Sequence, residues 1–250
     1  MMQMKAPLIF DIKRSSTVDG PGVRTTVFFK GCNLDCYWCH NPEGKEFSAQ
    51  IAKFSEKCIG CGTCLDLSAQ EKAHELCPAC AIKLYGESYT PKQLLDIILL
   101  DKPYYEQTGG GVTFSGGECM LFPDFLAIIA QKCQENGISV AIDTAGNVDF
   151  SHFEKVLPFT DLFLYDVKCI DSALHKKGVG VDNIQILTNL EKLCQCGKKI
   201  IVRIPCIPGF NDNDELERIK KYCQSLSLEF EILKYHEFGT SKKKALETSI

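Results

Sequence analysis

Eleven residues constrain this chain more than any others: Cys32-Asn33-Leu34-Asp35-Cys36-Tyr37-Trp38-Cys39-His40-Asn41-Pro42. Three cysteines separated by three and then two residues fit on one short loop. Thiolates so spaced can grip three corners of a cubane iron–sulfur cluster, whose full ligation by protein takes four cysteines. Three leave one iron open, able to bind a small molecule as well as to pass electrons. Two other readings stand beside this one. A structural zinc site usually pairs a Cys-x2-Cys with a second, distant pair. Disulfides would imply secretion into an oxidising compartment.

The chain has 15 cysteines, grouped at metal-ligand spacings, and opens Met1-Met2-Gln3-Met4-Lys5 with only a brief apolar stretch behind. That start does not read as a signal peptide, so reduced thiols in a cytoplasm are expected. A length of 250 residues, 45% hydrophobic and 24% charged, suits one domain with a large core. A net charge of −4 and a pI near 5.8 argue against a nucleic-acid partner. No apolar run approaches the ~20 residues of a membrane span, since Leu94–Leu100 is short and broken by Asp96. A soluble monomer with no membrane partner is the expectation.

A second cysteine group follows. Cys58-Ile59-Gly60-Cys61-Gly62-Thr63-Cys64 has the Cys-x2-Cys-x2-Cys rhythm of a bacterial ferredoxin, and Cys77-Pro78 supplies the matching Cys-Pro. Ser68 stands where a further cysteine would serve a second cluster. The economical count is one auxiliary 4Fe-4S cluster on Cys58, Cys61, Cys64 and Cys77, with Cys80 as the alternative fourth ligand. A zinc knuckle is the bland alternative.

Val23–Phe29 is rich in β-branched and aromatic residues and reads as a buried strand that delivers the chain into the first cysteine loop. Beyond the second group, strand and helix alternate. Strands are expected over Val112–Ser115, Ser139–Thr144, Leu162–Lys168, Lys199–Ile207 and Glu229–His236. Helices are expected from Pro91, capped by Thr90, to about Leu100, from Pro123 to Gly137, and near Ser151–Leu157, Asn183–Cys196 and Asp212–Leu226. Helix-length crossovers imply a parallel sheet. The fold class is therefore α/β, a partial (β/α)6 TIM-like barrel. Residues 1–54 form its first strand and cysteine loop, 55–88 a small ferredoxin-like insert, and 89–250 the remainder.

Ligands of such folds gather at the C-terminal ends of strands. After the second strand, Ser115-Gly116-Gly117-Glu118 offers a backbone that a ligand can approach closely and a carboxylate that can accept from an amine. Asp143-Thr144 and Asp166-Val167-Lys168 end the next two strands. Aspartates in apolar strands need partners, and an Asp166–Lys168 or Asp143–Lys168 ion pair would serve. Arg203 follows on the fifth strand, in an apolar run at the mouth of the barrel where a buried ion pair would hold it, and His236 on the sixth, where a hydrogen-bonded structural histidine is the plain reading. Cys119, Cys133, Cys169, Cys194, Cys196, Cys206 and Cys223 have no cluster spacing and read as small buried or incidental thiols.

Cys32-x3-Cys36-x2-Cys39 resembles the signature of the radical S-adenosylmethionine enzymes. Thr17-Val18-Asp19-Gly20-Pro21-Gly22-Val23-Arg24 looks like the lead-in of one branch, the glycyl-radical-enzyme activating enzymes of the pyruvate formate-lyase activating enzyme type. The likeness runs from about Ile9 to about Leu246. It implies the same partial barrel, with a reduced insert and a shortened C-terminal extension. It implies reductive cleavage of S-adenosylmethionine at the cluster of Cys32, Cys36 and Cys39, and hydrogen abstraction from a glycine of a partner glycyl radical enzyme. A flavodoxin or ferredoxin would supply electrons. The resemblance sets Trp38, Cys39 and His40 against the adenine, Gly116, Gly117 and Glu118 on the methionine amino group, and Lys168 on its carboxylate. Asp143, Thr144, Asp166 and Val167 would lie beside that carboxylate, the two aspartates holding a monovalent cation. Arg203 would contact substrate or cofactor, and His236 the nucleoside. Rival readings are a radical S-adenosylmethionine enzyme acting on a small molecule, an activator of anaerobic ribonucleotide reductase, and an iron–sulfur electron carrier without turnover.

Overall fold

The computed structural model describes residues 6–65 and 72–248; Ser68 lies outside them. The residues ahead of Val23, for which the sequence suggested no strand, contain one. β1 (Leu8–Ser16) runs antiparallel to β2 (Arg24–Phe29). β3 (Gln50–Lys53), the short helix α1 (Ala73–Leu76), β4 (Ile82–Tyr85) and β5 (Glu87–Ser88) follow. β3 and β4 form a separate two-stranded antiparallel sheet that brackets the second cysteine group.

From there the alternation holds: α2 (Pro91–Leu99), α3 (Lys102–Thr108), β6 (Gly111–Gly116), α4 (Pro123–Glu135), β7 (Ser139–Thr144), α5 (Phe150–Val156) and β8 (Leu162–Asp166). α6 (Ser172–Val179), α7 (Ile184–Cys194), β9 (Lys199–Cys206), α8 (Asp214–Ser225), β10 (Glu229–Lys234) and α9 (Phe238–Glu247) complete it. The eight-stranded sheet has the order β10-β9-β8-β7-β6-β2-β1-β5. The six expected strands are all parallel, so the fold is α/β with a mostly parallel central sheet.

Local chemistry explains the elements. Thr90 closes a reciprocal capping box with Gln93, and Pro91 occupies the first turn of α2 where its missing N–H costs nothing. Gly137 takes a φ of +70 just past α4. β10 ends the sheet order and alternates charged with apolar residues, as an edge strand does.

The two faces of the sheet differ. Val27, Phe29, Val112, Phe114, Val140, Ile142, Phe163 and Val202 turn one way and form the main core with Leu94, Leu126, Ile129 and Leu190 of the helices. Alternation along the strands puts Ser115, Asp143, Asp166 and Arg203 on the other face. Polar groups there gather toward the C-terminal ends of the parallel strands.

Candidate functional site

β2 ends at Phe29, and the next residues are already anchors. Lys30 is wholly buried, with Nζ donating to the Glu43 carbonyl at 2.6 Å and to Gln50 Oε1 at 2.7 Å. Burial lowers its pKa to about 8. Gly31 and Cys32 donate their amides to the carbonyls of Gly44 and Lys45 at 2.8 and 3.0 Å. On the far side of the loop the amides of Asp35 and Tyr37 donate to the carbonyls of Val179 and Gly178 at 2.9 and 3.3 Å. Those are C-terminal carbonyls of α6, which lack partners inside the helix. A Cβ on Gly178 would lie 2.4 Å from the Phe210 ring and 2.9 Å from that of Trp38. Glycine in that helix makes room for the loop. Trp38 in turn packs on Phe210, with ring centroids 4.5 Å apart.

Over the C-terminal ends of the parallel strands lies a cavity of about 490 Å³. Cys32, Cys36 and Cys39 line it together, and no fourth cysteine does among the described residues. Trp38 and His40 face it from the same loop, Gly116 and Gly117 from β6, and Asp143 and Thr144 from β7. Asp166 and Lys168 reach it from β8, Arg203 from β9, and His236 from just past β10. Burial pushes the Cys32 thiol up to about 12 and the Cys36 thiol up to about 11, with Lys168 opposing the second shift. Cys39 moves the same way for the same reason. Thiols so placed stay protonated until a metal takes them.

The charged groups are paired. Lys168 Nζ donates to Asp166 Oδ2 at 2.7 Å. Burial, which alone would lower the Lys168 pKa, is outweighed by Asp166 and the nearby thiols, and the net shift is upward. Asp143 pairs with Arg203 rather than with Lys168: Arg203 Nη1 lies 3.2 Å from Asp143 Oδ2, which also accepts from Ser115 Oγ at 2.7 Å. Burial raises the Asp143 carboxyl, and Arg203 opposes it. Arg203 Nε is buried without a hydrogen-bond acceptor, and Nη1 has the Asp143 ion pair but no well-aligned hydrogen bond. Such donors at a cavity wall suit a ligand that brings a carboxylate. His40 and His236 stack with centroids 3.9 Å apart, and burial, then His236, lowers the His40 pKa.

Two expected contacts are placed elsewhere. Glu118 does not line the cavity. It is 1% exposed, and its carboxylate accepts from the Met120 amide at 3.0 Å, Thr144 Oγ1 at 2.7 Å and the Ala145 amide at 3.0 Å. Burial raises its pKa to about 7. Its role is to tie the turn after β6 to the end of β7. The Val167 side chain is buried in the main core and does not face the cavity, because alternation turns it away from Asp166 and Lys168. The glycine pair also serves the protein itself. Gly116 has a φ of +125, and a Cβ on Gly117 would lie 2.3 Å from the Gly44 carbonyl oxygen and 2.4 Å from that of Gly31. The cysteine loop rests on this turn.

Lys45, Ser115, Pro205 and Lys234 also line the cavity. Ser115 and Pro205 were visible in the strand-end motifs, but nothing in the spacing marked Lys45 or Lys234. Asn211 was also missed. It is wholly buried, donates to the carbonyls of Lys168 and Pro205 at 2.7 Å each, and accepts from the Ile207 amide at 2.7 Å. It ties the end of β8 to the end of β9.

In the second cysteine group, Cys58, Cys61, Cys64 and Cys77 line one small recess with Lys53 and Ile82. Cys80 is exposed, has a φ of +48 and does not line it. Hydrogen bonds from Thr63 favour the Cys61 thiolate. Among the described residues no three His, Cys, Asp or Glu side chains converge as a single metal ion would require. A four-iron cluster takes its thiolates on separate corners and needs no such convergence. Of the remaining cysteines, Cys119, Cys133, Cys169 and Cys223 are buried, Cys194 and Cys206 half-buried, and Cys196 exposed.

Known proteins are similar to this chain over most of its length. Residues 26–222 match the family model of the radical SAM superfamily. The trans-4-hydroxy-L-proline dehydratase activating enzyme of Clostridioides difficile is 37% identical over 94% of this chain and 86% of its own. The choline trimethylamine-lyase activating enzyme of Oleidesulfovibrio alaskensis is 37% identical over 98% and 88%. The benzylsuccinate synthase activating enzyme of Thauera aromatica is 34% identical over 96% and 81%. Among solved structures, Streptococcus suis SuiB bound to precursor peptide SuiA superposes with a TM-score of 0.59 at 14% identity, over 87% of this chain and 40% of its own, a likeness of fold.

Proposed function

This chain belongs to the radical SAM superfamily and, within it, to the activating enzymes of glycyl radical enzymes, and from that premise we propose that it installs a glycyl radical in a partner enzyme. The observation that carries the reading is one cavity at the strand ends. It joins Cys32, Cys36 and Cys39 to Lys168 and Arg203.

Cys32, Cys36 and Cys39 would hold a 4Fe-4S cluster with one iron open for the amino and carboxylate groups of S-adenosylmethionine. A bound cluster would supply the electron for reductive cleavage of S-adenosylmethionine to methionine and a 5′-deoxyadenosyl radical, and that radical would take a hydrogen atom from a glycine α-carbon of the partner. The residues of this chain bind and orient. Lys168 and Arg203 would hold the carboxylate, Gly116, Gly117 and Thr144 would line its amino end, and Trp38, His40 and His236 would flank the nucleoside. Holding donor and acceptor in near-attack geometry, away from water, is the protein's contribution.

The six parallel strands are read as a partial barrel, with residues 55–88 as its ferredoxin-like insert. The recess of Cys58, Cys61, Cys64 and Cys77 would carry an auxiliary 4Fe-4S cluster that relays electrons from a flavodoxin or ferredoxin. Cys77 is preferred over Cys80 as fourth ligand because it faces the recess. Asp143 and Asp166 would take a monovalent cation, since all-oxygen donors suit a hard ion. The enzyme would work as a cytoplasmic monomer. The relatives serve a dehydratase, a lyase and a synthase. The proposal therefore commits to the partner's glycine loop rather than to one partner chemistry, formate-lyase type included.

The test is spectroscopic. The reconstituted, reduced protein is mixed with S-adenosylmethionine and the glycyl radical enzyme encoded nearest its gene. A doublet glycyl radical signal that requires both proteins is the expected result. Its absence, with 5′-deoxyadenosine still formed, would favour a small-molecule substrate.

A further inference from the structure

α9 touches both cysteine-bearing parts of the chain. Ala245 is 3% exposed and packs with Phe10, Ala52 and Tyr85, which seats the helix on the β3–β4 sheet. At the start of the helix, an added Cβ on Gly239 would lie 2.3 Å from the Cys39 carbonyl oxygen. One turn on, Lys242 reaches the same loop. Its Nζ lies 2.5 Å from Glu43 Oε1, 3.2 Å from Asn41 Oδ1 and 3.3 Å from the His40 carbonyl oxygen. Glu43 is 3% exposed, and Lys242 is its ion-pair partner among the described residues. A carboxylate so buried requires such a partner.

The loop is thus held in two halves. Its first half hangs on the C-terminal carbonyls of α6 through Asp35 and Tyr37. Its second half, which carries Cys39, rests on Lys30 and on α9. We infer that α9 is a strap across the cluster loop and that Lys242 is a positioning residue, holding Cys39 and His40 in place through Glu43 and Asn41. This rests on the cluster assignment proposed above. Cutting the Lys242 anchor leaves the helix seated through Ala245 and leaves Lys30 as a side-chain anchor for the segment that carries the third thiolate. A cluster on Cys32, Cys36 and Cys39 would then be less firmly held at Cys39 and would lose iron faster.

The experiment follows iron release to a chelator under anaerobic conditions, in a Cys58→Ser/Cys61→Ser background where the remaining cluster is that of Cys32, Cys36 and Cys39. Lys242→Met should release iron about tenfold faster than the parent, the usual scale for loss of an outer partner of a metal ligand. Lys242→Arg should restore the slow rate. Glu43→Gln, which removes the buried charge, should soften the effect of Lys242→Met in the double variant and offers a second reading if Lys242→Met folds poorly. A merely structural strap would lower the melting temperature of the apoprotein without changing the release rate. Equal release rates in folded Lys242→Met and parent would overturn the inference alone, leaving the cluster assignment intact. Failure of the parent to hold any cluster would overturn the assignment, and the strap with it.

Discussion

Lys168 joins binding and folding, since it lines the cavity and also neutralises Asp166. It pairs with Asp166, and both side chains line the cavity. Lys168→Met should weaken S-adenosylmethionine binding about 10- to 100-fold, the scale of one hydrogen bond to a charged group, and equilibrium binding to the reconstituted protein measures it. Unchanged affinity would mean that Lys168 only neutralises Asp166. Asn211 acts at one remove. Asn211→Leu leaves two buried carbonyls and one amide without their partner, which should cost about 3 kcal/mol and lower the melting temperature by roughly 6–12 °C. It should also raise KM for S-adenosylmethionine, because the carbonyl it holds is that of Lys168.

At the scale of elements, the turn after β6 is the sensitive joint. Gly117→Ala would drive a methyl group into the carbonyls of Gly31 and Gly44. About 2 kcal/mol of overpacking follows, and iron content after reconstitution should fall, since the displaced backbone is that of the cluster loop. Full iron content in Gly117→Ala would show the loop to be more pliant than these contacts imply. The same scale shows what was legible from sequence. β7 matched its expected span because Ser139–Thr144 is bounded by Gly137 and carries an apolar run that strands favour. α2 was legible from its cap. β1 was not, because Asp11, Lys13 and Arg14 interrupt any apolar run, one side of that strand being exposed. α6 carries Gly178 inside a helix, where glycine is disfavoured until its contact with Phe210 and Trp38 is seen. α9 matches no expected element, and it carries Lys242, Lys243 and Lys244 in succession. Its contacts with the cysteine loop appear only in the fold.

For the whole molecule, the cysteine loop and the strand-end motifs were readable as parts, and their convergence on one cavity is what folding adds. The pairing of Asp143 with Arg203 across β8, and the burial of Glu118 against Thr144 and Ala145 outside the cavity lining, follow from register and burial rather than from spacing. The two cysteine sites predict a division of labour. Cys58→Ser/Cys61→Ser should lose far more activity with a flavodoxin or ferredoxin as donor than with a small chemical reductant, and equal losses would assign the second site to docking instead of relay. The central claim is that Cys32, Cys36 and Cys39 hold a cluster whose open iron binds S-adenosylmethionine. It is tested most directly by assaying 5′-deoxyadenosine from the anaerobically reconstituted, dithionite-reduced protein beside its Cys36→Ala variant. The account predicts product from the wild type and none from the variant. Equal formation in both, or none in a wild type with full iron content, would contradict it.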